Sequence, residues 1–192
     1  RCVMRKLVAV VVCCVISAGA FAESKGFQLS LTPNIAIQDR DTEINGVSIG
    51  VWDENPSPKF QWQFGCVNGT TGDSVGAQWC LFLHTIYNYA EKHAGIQFGF
   101  VNNTAGNFVG WQNGFVNIAG VNAVGLQTGL VNYAAKMHGV QLGTVNYAGV
   151  VDEWAFQLGL VNIIADNEWF KDFPGDLAKG MFLVNWSFGG AK

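Results

Sequence analysis

The chain has 192 residues, of which 49% are hydrophobic and only 13% charged, with 24 glycines and a net charge of −3. So few charges on so much apolar material exclude a disordered chain and leave enough for a core. The mild acidity, with no Lys/Arg run after residue 6, excludes the basic patch that a nucleic-acid ligand requires.

In chain order, residues 1–22 read as a secretory signal peptide. Arg5 and Lys6 form the basic n-region, Leu7 to Val15 the apolar stretch, and Ala20-Phe21-Ala22 the small-x-small cleavage site. The apolar run is short for a transmembrane helix, so export with a mature chain starting at Glu23 is expected. Residues 23–192 are expected to form one β-repeat domain, with core repeats over 45–163 and a terminal cap or last strand over 164–192. Cys66 and Cys80 are the cysteines of that mature part. Their offsets from the neighbouring Gln63 and Gln78 put them on opposite faces of alternating strands, which favours two small buried hydrophobes over a disulfide.

Phe27-Gln-Leu-Ser-Leu-Thr-Pro-Asn-Ile35 is a candidate first strand. A degenerate copy, Gly46-Val-Ser-Ile-Gly-Val-Trp-Asp53, opens the repeat. The motif Gln-x-Gly-x-Val-Asn then appears at Gln63, Gln97, Gln112, Gln127, Gln141 and Gln157, and ends at Asn68, Asn102, Asn117, Asn132, Asn146 and Asn162. From Gln97 onward the intervals are 15, 15, 14 and 16 residues, the signature of one small unit repeated. Gln78 begins another copy, with an insertion before Tyr87-Asn88-Tyr89-Ala90. Gly180-Met-Phe-Leu-Val-Asn185 is a last, offset copy.

Within each unit the period is two. One parity carries bulky residues such as Ile96, Phe98 and Phe100, or Trp111, Asn113 and Phe115. The other carries Gly, Gln, Gly and Val. Alternation in segments rich in aromatic and β-branched types and bounded by Gly and Asn predicts strands, and the recurrent glycines disfavour helix. The fold class is all-β. A β-solenoid of about nine 15-residue coils is the preferred architecture, with the bulky parity inward and the Asn at a coil corner. There, stacked amides can hydrogen-bond to each other and to corner backbone groups. The alternative is a transmembrane β-barrel of 8–10 strands, for which Phe182, Val184, Trp186 and Phe188 would make a terminal strand. Against it, a barrel strand needs roughly five lipid-facing apolar residues in alternation. Here three are followed by an Asn.

The Gly-x-Gln-x-Gly-Leu/Phe-Val-Asn-Tyr/Ile-Ala unit, with Phe27 to Ile37, Trp52-Asp-Glu-Asn-Pro56 and Val184-Asn-Trp-Ser-Phe188, resembles the repeat-containing surface proteins of spirochaetes and several gut bacterial lineages. The resemblance runs from about Phe27 to Phe188. It implies a bacterial envelope or surface location and brings no established chemistry with it.

Candidate chemistry is thin. His84, His93 and His138 lack metal-ligand spacing and read as solvent-facing turn residues, so no metal or cofactor is expected. Neither Cys66 nor Cys80 sits in a nucleophile motif. Carboxylates cluster in apparent connections: Asp39, Asp41 and Glu43; Asp53 and Glu54; Asp152 and Glu153; Asp166, Glu168, Asp172 and Asp176. They read as solvated loop charge, with a glycosidase pair or weak calcium site as the lesser alternative. Trp62, Trp79, Trp111 and Phe156 share the bulky parity and read as core. Trp169, Phe170 and Phe173 are candidate surface or cap aromatics at the end of the stack. The expected role is non-catalytic: an exported envelope or surface protein with a structural or adhesive function. Its expected partners are an envelope polymer, a carbohydrate or a protein ligand. The alternatives are a small outer-membrane barrel and an exported hydrolase using loop carboxylates.

Overall fold

The computed structural model describes residues 24–79 and 85–188. The signal segment, Cys80 and His84 lie outside the described residues, as do the features expected of them. About four-fifths of the described residues are strand. The elements are β1 (Lys25–Thr32), β2 (Ile35–Ala36), β3 (Ile44–Asn55), β4 (Gln61–Trp79), β5 (Thr85–Thr104), β6 (Asn107–Asn113), β7 (Val116–Ile164) and β8 (Gly180–Ser187). Strand β7 runs for 49 residues because the chain stays extended while it turns corners.

Successive copies pair in parallel and in register. Ser48 lies beside Gln63, Gln78 beside Gln97, Gln97 beside Gln112 and Gln112 beside Gln127. Asp53, Asn68 and Asn88 align in the same way, as do Asn102 and Asn117. The fold is a β-solenoid of about seven turns and not a barrel. Fewer turns than the nine expected are built, because the first and last copies serve as ends. β1 carries a two-residue hairpin with β2, and β8 returns antiparallel to the end of β7, with Asn185 opposite Gln157. The offset copy at 180–185 is therefore a reversed closing strand, not a further coil.

The interior corrects the expected orientation of the repeat. The Gln parity faces inward and the bulky parity outward: Gln97, Gln112, Gln127 and Gln141 are fully buried, whereas Trp62, Trp79, Trp111, Phe100 and Phe115 are exposed. Volume is the reason. A coil of about 15 residues closes on itself with only a few residues per wall, so opposite walls stand one small side chain apart. Gly, Ala and flat amides fill the gap behind the first two walls, and the rings that do enter the interior, Phe108 and His93, come singly from the third wall. Besides the amides, the core is a slim seam of Phe108, Ala119, Ala123, Ala134, Met137, Ala148, Val151, Ala155 and Ile164.

Each coil has three walls. The first places Gln and the following Gly inward. A corner at the next two residues leads to the second, with Asn and then Ala or Thr inward. The third presents Ser74, His93, Phe108, Ala123, Met137 and Val151 inward in successive coils. The chain re-enters the first wall through a glycine with positive φ, as at Gly95 (139°) and Gly110 (132°). A Cβ on Gly110 would lie 2.0 Å from the Gly95 carbonyl oxygen, so only glycine allows the coils to approach there.

Two amide ladders run the length of the stack in opposite senses. Gln78 Nε2 donates to Gln63 Oε1 (2.7 Å), and the pattern repeats through Gln97, Gln112, Gln127, Gln141 and Gln157 at 2.7–2.8 Å. Every donor in that ladder points towards the N-terminal coil. Asn68 Nδ2 donates to Asn88 Oδ1 (3.0 Å), and the chain of bonds continues through Asn102, Asn117, Asn132 and Asn146 to Asn162, with donors pointing the other way. The second N–H of most amides goes to a backbone carbonyl, as from Gln141 to Tyr147 and from Asn132 to Leu142. A carbonyl only accepts, so these bonds set which end of each amide is nitrogen. The ladder spacing works because parallel in-register stacking repeats at about 4.8 Å, the step of the backbone ladder itself. The opposed senses cancel the two columns of side-chain dipoles.

Candidate functional site

With its bulky parity outside, the first wall is a broad uncharged surface. One column runs Phe27, Val47, Trp62, Ala77, Ile96, Trp111, Leu126, Val140, Phe156 and Trp186. A second runs Leu29, Ile49, Phe64, Trp79, Phe98, Asn113, Thr128, Leu142, Leu158 and Val184. A third carries Leu31, Val51, Cys66, Phe100, Phe115, Leu130, Thr144 and Leu160. None of these described positions is charged. At strand spacing the wall extends about 45 Å along the axis and about 20 Å across, roughly 900 Å². That exceeds the few hundred Å² of contiguous apolar surface usual on a soluble monomer.

The rings are ordered against one another. Phe98 meets Trp111 edge-on (centroids 4.8 Å, 70°), Phe100 stacks on Phe115 (5.0 Å, 14°), and Trp79 lies 5.7 Å from Phe98. Beside this cluster the wall dips into a hollow of about 300 Å³ lined by Phe100, Asn113, Phe115, Thr128 and Leu130 together with Gly99, Gly114 and Gly129. The Thr128 hydroxyl in it is already engaged. Trp111 Nε1 and Asn113 Nδ2 both donate to Thr128 Oγ1, at 2.9 and 2.7 Å.

Charge is concentrated on the third wall and the corner before it, and at the two ends. Lys92 pairs with Asp73 (3.1 Å) and Lys136 with Asp152 (3.0 Å), each from one coil to the next. His138 Nδ1 lies 3.5 Å from a Glu153 carboxylate oxygen. On the second wall the Tyr89 hydroxyl donates to Glu54. Burial, and then the Glu54 carboxylate, push that hydroxyl up to about 12.

The six Gln and six Asn of the motif all occupy the buried ladders and none reaches solvent. Trp169, Phe170 and Phe173 are exposed on the loop before β8. Trp62, Trp79 and Trp111, expected in the core, are on the outer wall. Two carboxylates expected in solvated loops are interior. Asp176 accepts from Ser187 Oγ at 2.6 Å in the C-terminal closure. Asp53 stands at the head of the Asn column, where burial raises its pKa, and one oxygen accepts from Ser30 Oγ at 2.8 Å. It is the last residue of the degenerate copy, and the register aligns it with Asn68. His93 is also interior rather than solvent-facing. It stacks on Phe108, and its Nδ1 lies 2.8 Å from Ser74 Oγ. Burial lowers its pKa to about 4.

Among the described residues no group of three or more His, Cys, Asp or Glu could hold a metal ion. The carboxylates do not converge in one cleft: Asp152 and Glu153 are engaged with Lys136 and His138, while Asp166, Glu168 and Asp172 are exposed on the C-terminal loop. Comparison with protein-family models, curated proteins and solved structures finds no match.

Proposed function

We propose that this chain is a non-catalytic repeat protein of the bacterial envelope or cell surface that acts structurally, by association through its first wall. The observation that carries this reading is the wall itself: a roughly 900 Å² face with no charged position, built into every copy of the repeat. A repeat that served folding alone would place polar residues outside, because the interior is already complete with Gln, Asn, Gly and Ala. Among the described residues the charged side chains lie on the other walls and at the ends, which follows the same division. The signal-like segment over 1–22 supports export, and the resemblance to bacterial surface repeat proteins supports the envelope.

The partner class favoured is a protein surface rather than a carbohydrate. Sugar-stacking rings need several donors and acceptors beside them for the sugar hydroxyls, and here the Thr128 hydroxyl and the Trp111 indole N–H are already bonded to each other, which leaves the Asn113 amide as the one described polar side chain offered within the ring cluster. Fractionation of bacterial cells expressing the full chain tests the reading. The wild-type protein is expected in the envelope fraction. Replacing Trp62, Trp79 and Trp111 together by Thr is expected to release it while the β-type circular dichroism is retained. A wild-type chain retained in the cytoplasm, or a triple variant that fractionates like the wild type, overturns it.

A further inference from the structure

Resting on the associative reading of the first wall, we propose that its occupant is a second copy of this chain, docked face to face with the two solenoid axes antiparallel. The wall of about 900 Å² matches the roughly 800 Å² per partner of a standard stable interface. Because no described wall position is charged, two copies can meet without stranding an ion in the contact. Packed β-sheets already bury such faces against each other at about 10 Å separation.

The distribution of side-chain size selects the orientation. In the central column the rings Phe64, Trp79 and Phe98 lie in the N-terminal half and the ringless Asn113, Thr128 and Leu142 in the C-terminal half, whereas the flanking columns carry rings in both halves. A twofold axis along the strand direction, between the Gln97 and Gln112 coils, keeps each column opposite itself and reverses the order of the coils. Trp62 then faces Val140 of the second copy, Trp79 faces Thr128, Phe98 faces Asn113, and Ala77 faces Leu126. Large meets small at these positions and the full length of the wall overlaps, while next to the axis Ile96 meets Trp111 and Phe100 meets Phe115 as apolar pairs. Trp79 and Phe98 of one copy arrive over the 300 Å³ hollow of the other, where the Thr128 hydroxyl already accepts from Asn113 Nδ2. The other face-to-face twofold, with axes parallel, sets Phe64, Trp79 and Phe98 each against its own copy. Those ridges would hold the faces apart and leave the hollows empty.

Sedimentation of the full chain over a concentration series tests the proposal, with circular dichroism to verify the fold of each variant. The wild type is expected to dimerise. Leu126→Glu and Ala77→Lys alone each bury an unpaired charge and are expected to raise the dimer dissociation constant at least about a hundredfold. The double variant A77K/L126E is expected to recover dimerisation to within about tenfold of wild type. In it, the lysine introduced at position 77 of each copy meets the glutamate introduced at position 126 of the other. The two positions are three coils apart within one chain, about 14 Å, too far to pair internally. In the parallel arrangement the new carboxylate at position 126 would face Leu130, and no recovery would follow. Should either charged variant fail to fold, the exchange W79T/T128W serves instead, with T128W alone expected to dissociate and the exchange to re-associate.

A wild type that stays monomeric at every concentration overturns the proposal, as does an A77K/L126E or exchanged variant no better than its single parents. Monomeric chain that sediments with vesicles of phosphatidylethanolamine and phosphatidylglycerol assigns the wall to lipid and also overturns it. If the chain is monomeric yet the Trp-to-Thr triple variant still leaves the envelope fraction, the dimer fails and the associative reading stands. If the charge rescue works but the triple variant remains in the envelope, the dimer stands and the envelope role of the wall fails.

Discussion

Replacing Asp53 by Asn tests the amide ladder at the point where it is incomplete. Every link of the Asn ladder has the form Nδ2 of one coil to Oδ1 of the next, so Asn68 Oδ1 requires a donor from residue 53, its in-register neighbour. Asp53 as a carboxylate cannot supply one. Both Asn68 Oδ1 and Asp53 Oδ2 are buried without a hydrogen-bond partner. Each such orphan costs about 1–3 kcal/mol, and the side-chain amide of D53N would satisfy one of them while removing a buried negative charge. The expected gain at pH 7 is about 2–4 kcal/mol. Burial raises the Asp53 pKa above its ordinary 3.8, so the unfolded chain releases this proton at lower pH than the folded one. Its contribution to stability is therefore complete below about pH 4 and is lost as pH rises through the folded value. At low pH the protonated carboxyl can itself donate to Asn68, and the advantage of D53N should shrink to less than about 1 kcal/mol. Urea unfolding followed by circular dichroism at pH 3, 5 and 7 measures the difference. A D53N chain no more stable at pH 7, or a gap that does not change with pH, would refute the ladder argument.

His93 should produce the opposite slope. Its folded pKa of about 4 lies below the ordinary 6.5, so stability falls as pH drops from about 6.5 to about 4, by roughly 3 kcal/mol in all. His93→Phe, which continues the Phe108 column, should flatten that limb, and an unchanged slope in the same urea series would contradict it. Gln112→Leu keeps the volume but removes the acceptor for Gln127 Nε2 and the donor to Gln97 Oε1, and should cost about 2–4 kcal/mol, read as a lower urea midpoint. A midpoint unchanged from wild type would show that the ladder adds nothing to stability. Gly110→Ala should destabilise by at least about 2 kcal/mol because of its positive φ and the nearby Gly95 carbonyl. Gly180→Ala, with nothing within 4 Å of the added carbon, should change stability by less than about 0.5 kcal/mol.

The amino-acid sequence by itself determined the unit, its period and its strand character. A recurring Gln-x-Gly-x-Val-Asn favours coils that each meet the same environment, but it is the parallel pairing in the structure that lines up the Gln and Asn columns and excludes the barrel. The degenerate copy Gly46–Asp53 ends on Asp53, but only the register with Asn68 shows that its carboxylate stands in the Asn column. Alternation is symmetric, however: it separates two faces without saying which one is inside. Hydrophobicity alone argued for Trp62, Trp79 and Trp111 as core, and for His93 and Asp53 as solvated. Only the closed coil reversed this, because behind the first wall its interior is narrow and is filled by amides that bond along the stack, while ring space is found only against the third wall, at Phe108 and His93. The opposed senses of the two ladders and the antiparallel return of Gly180–Ser187 also arise between neighbouring coils, from residues 14 or more apart in the chain. No local pattern specifies them. The wall became visible as a candidate site only once the tertiary structure had turned the repeat's most hydrophobic side chains towards solvent.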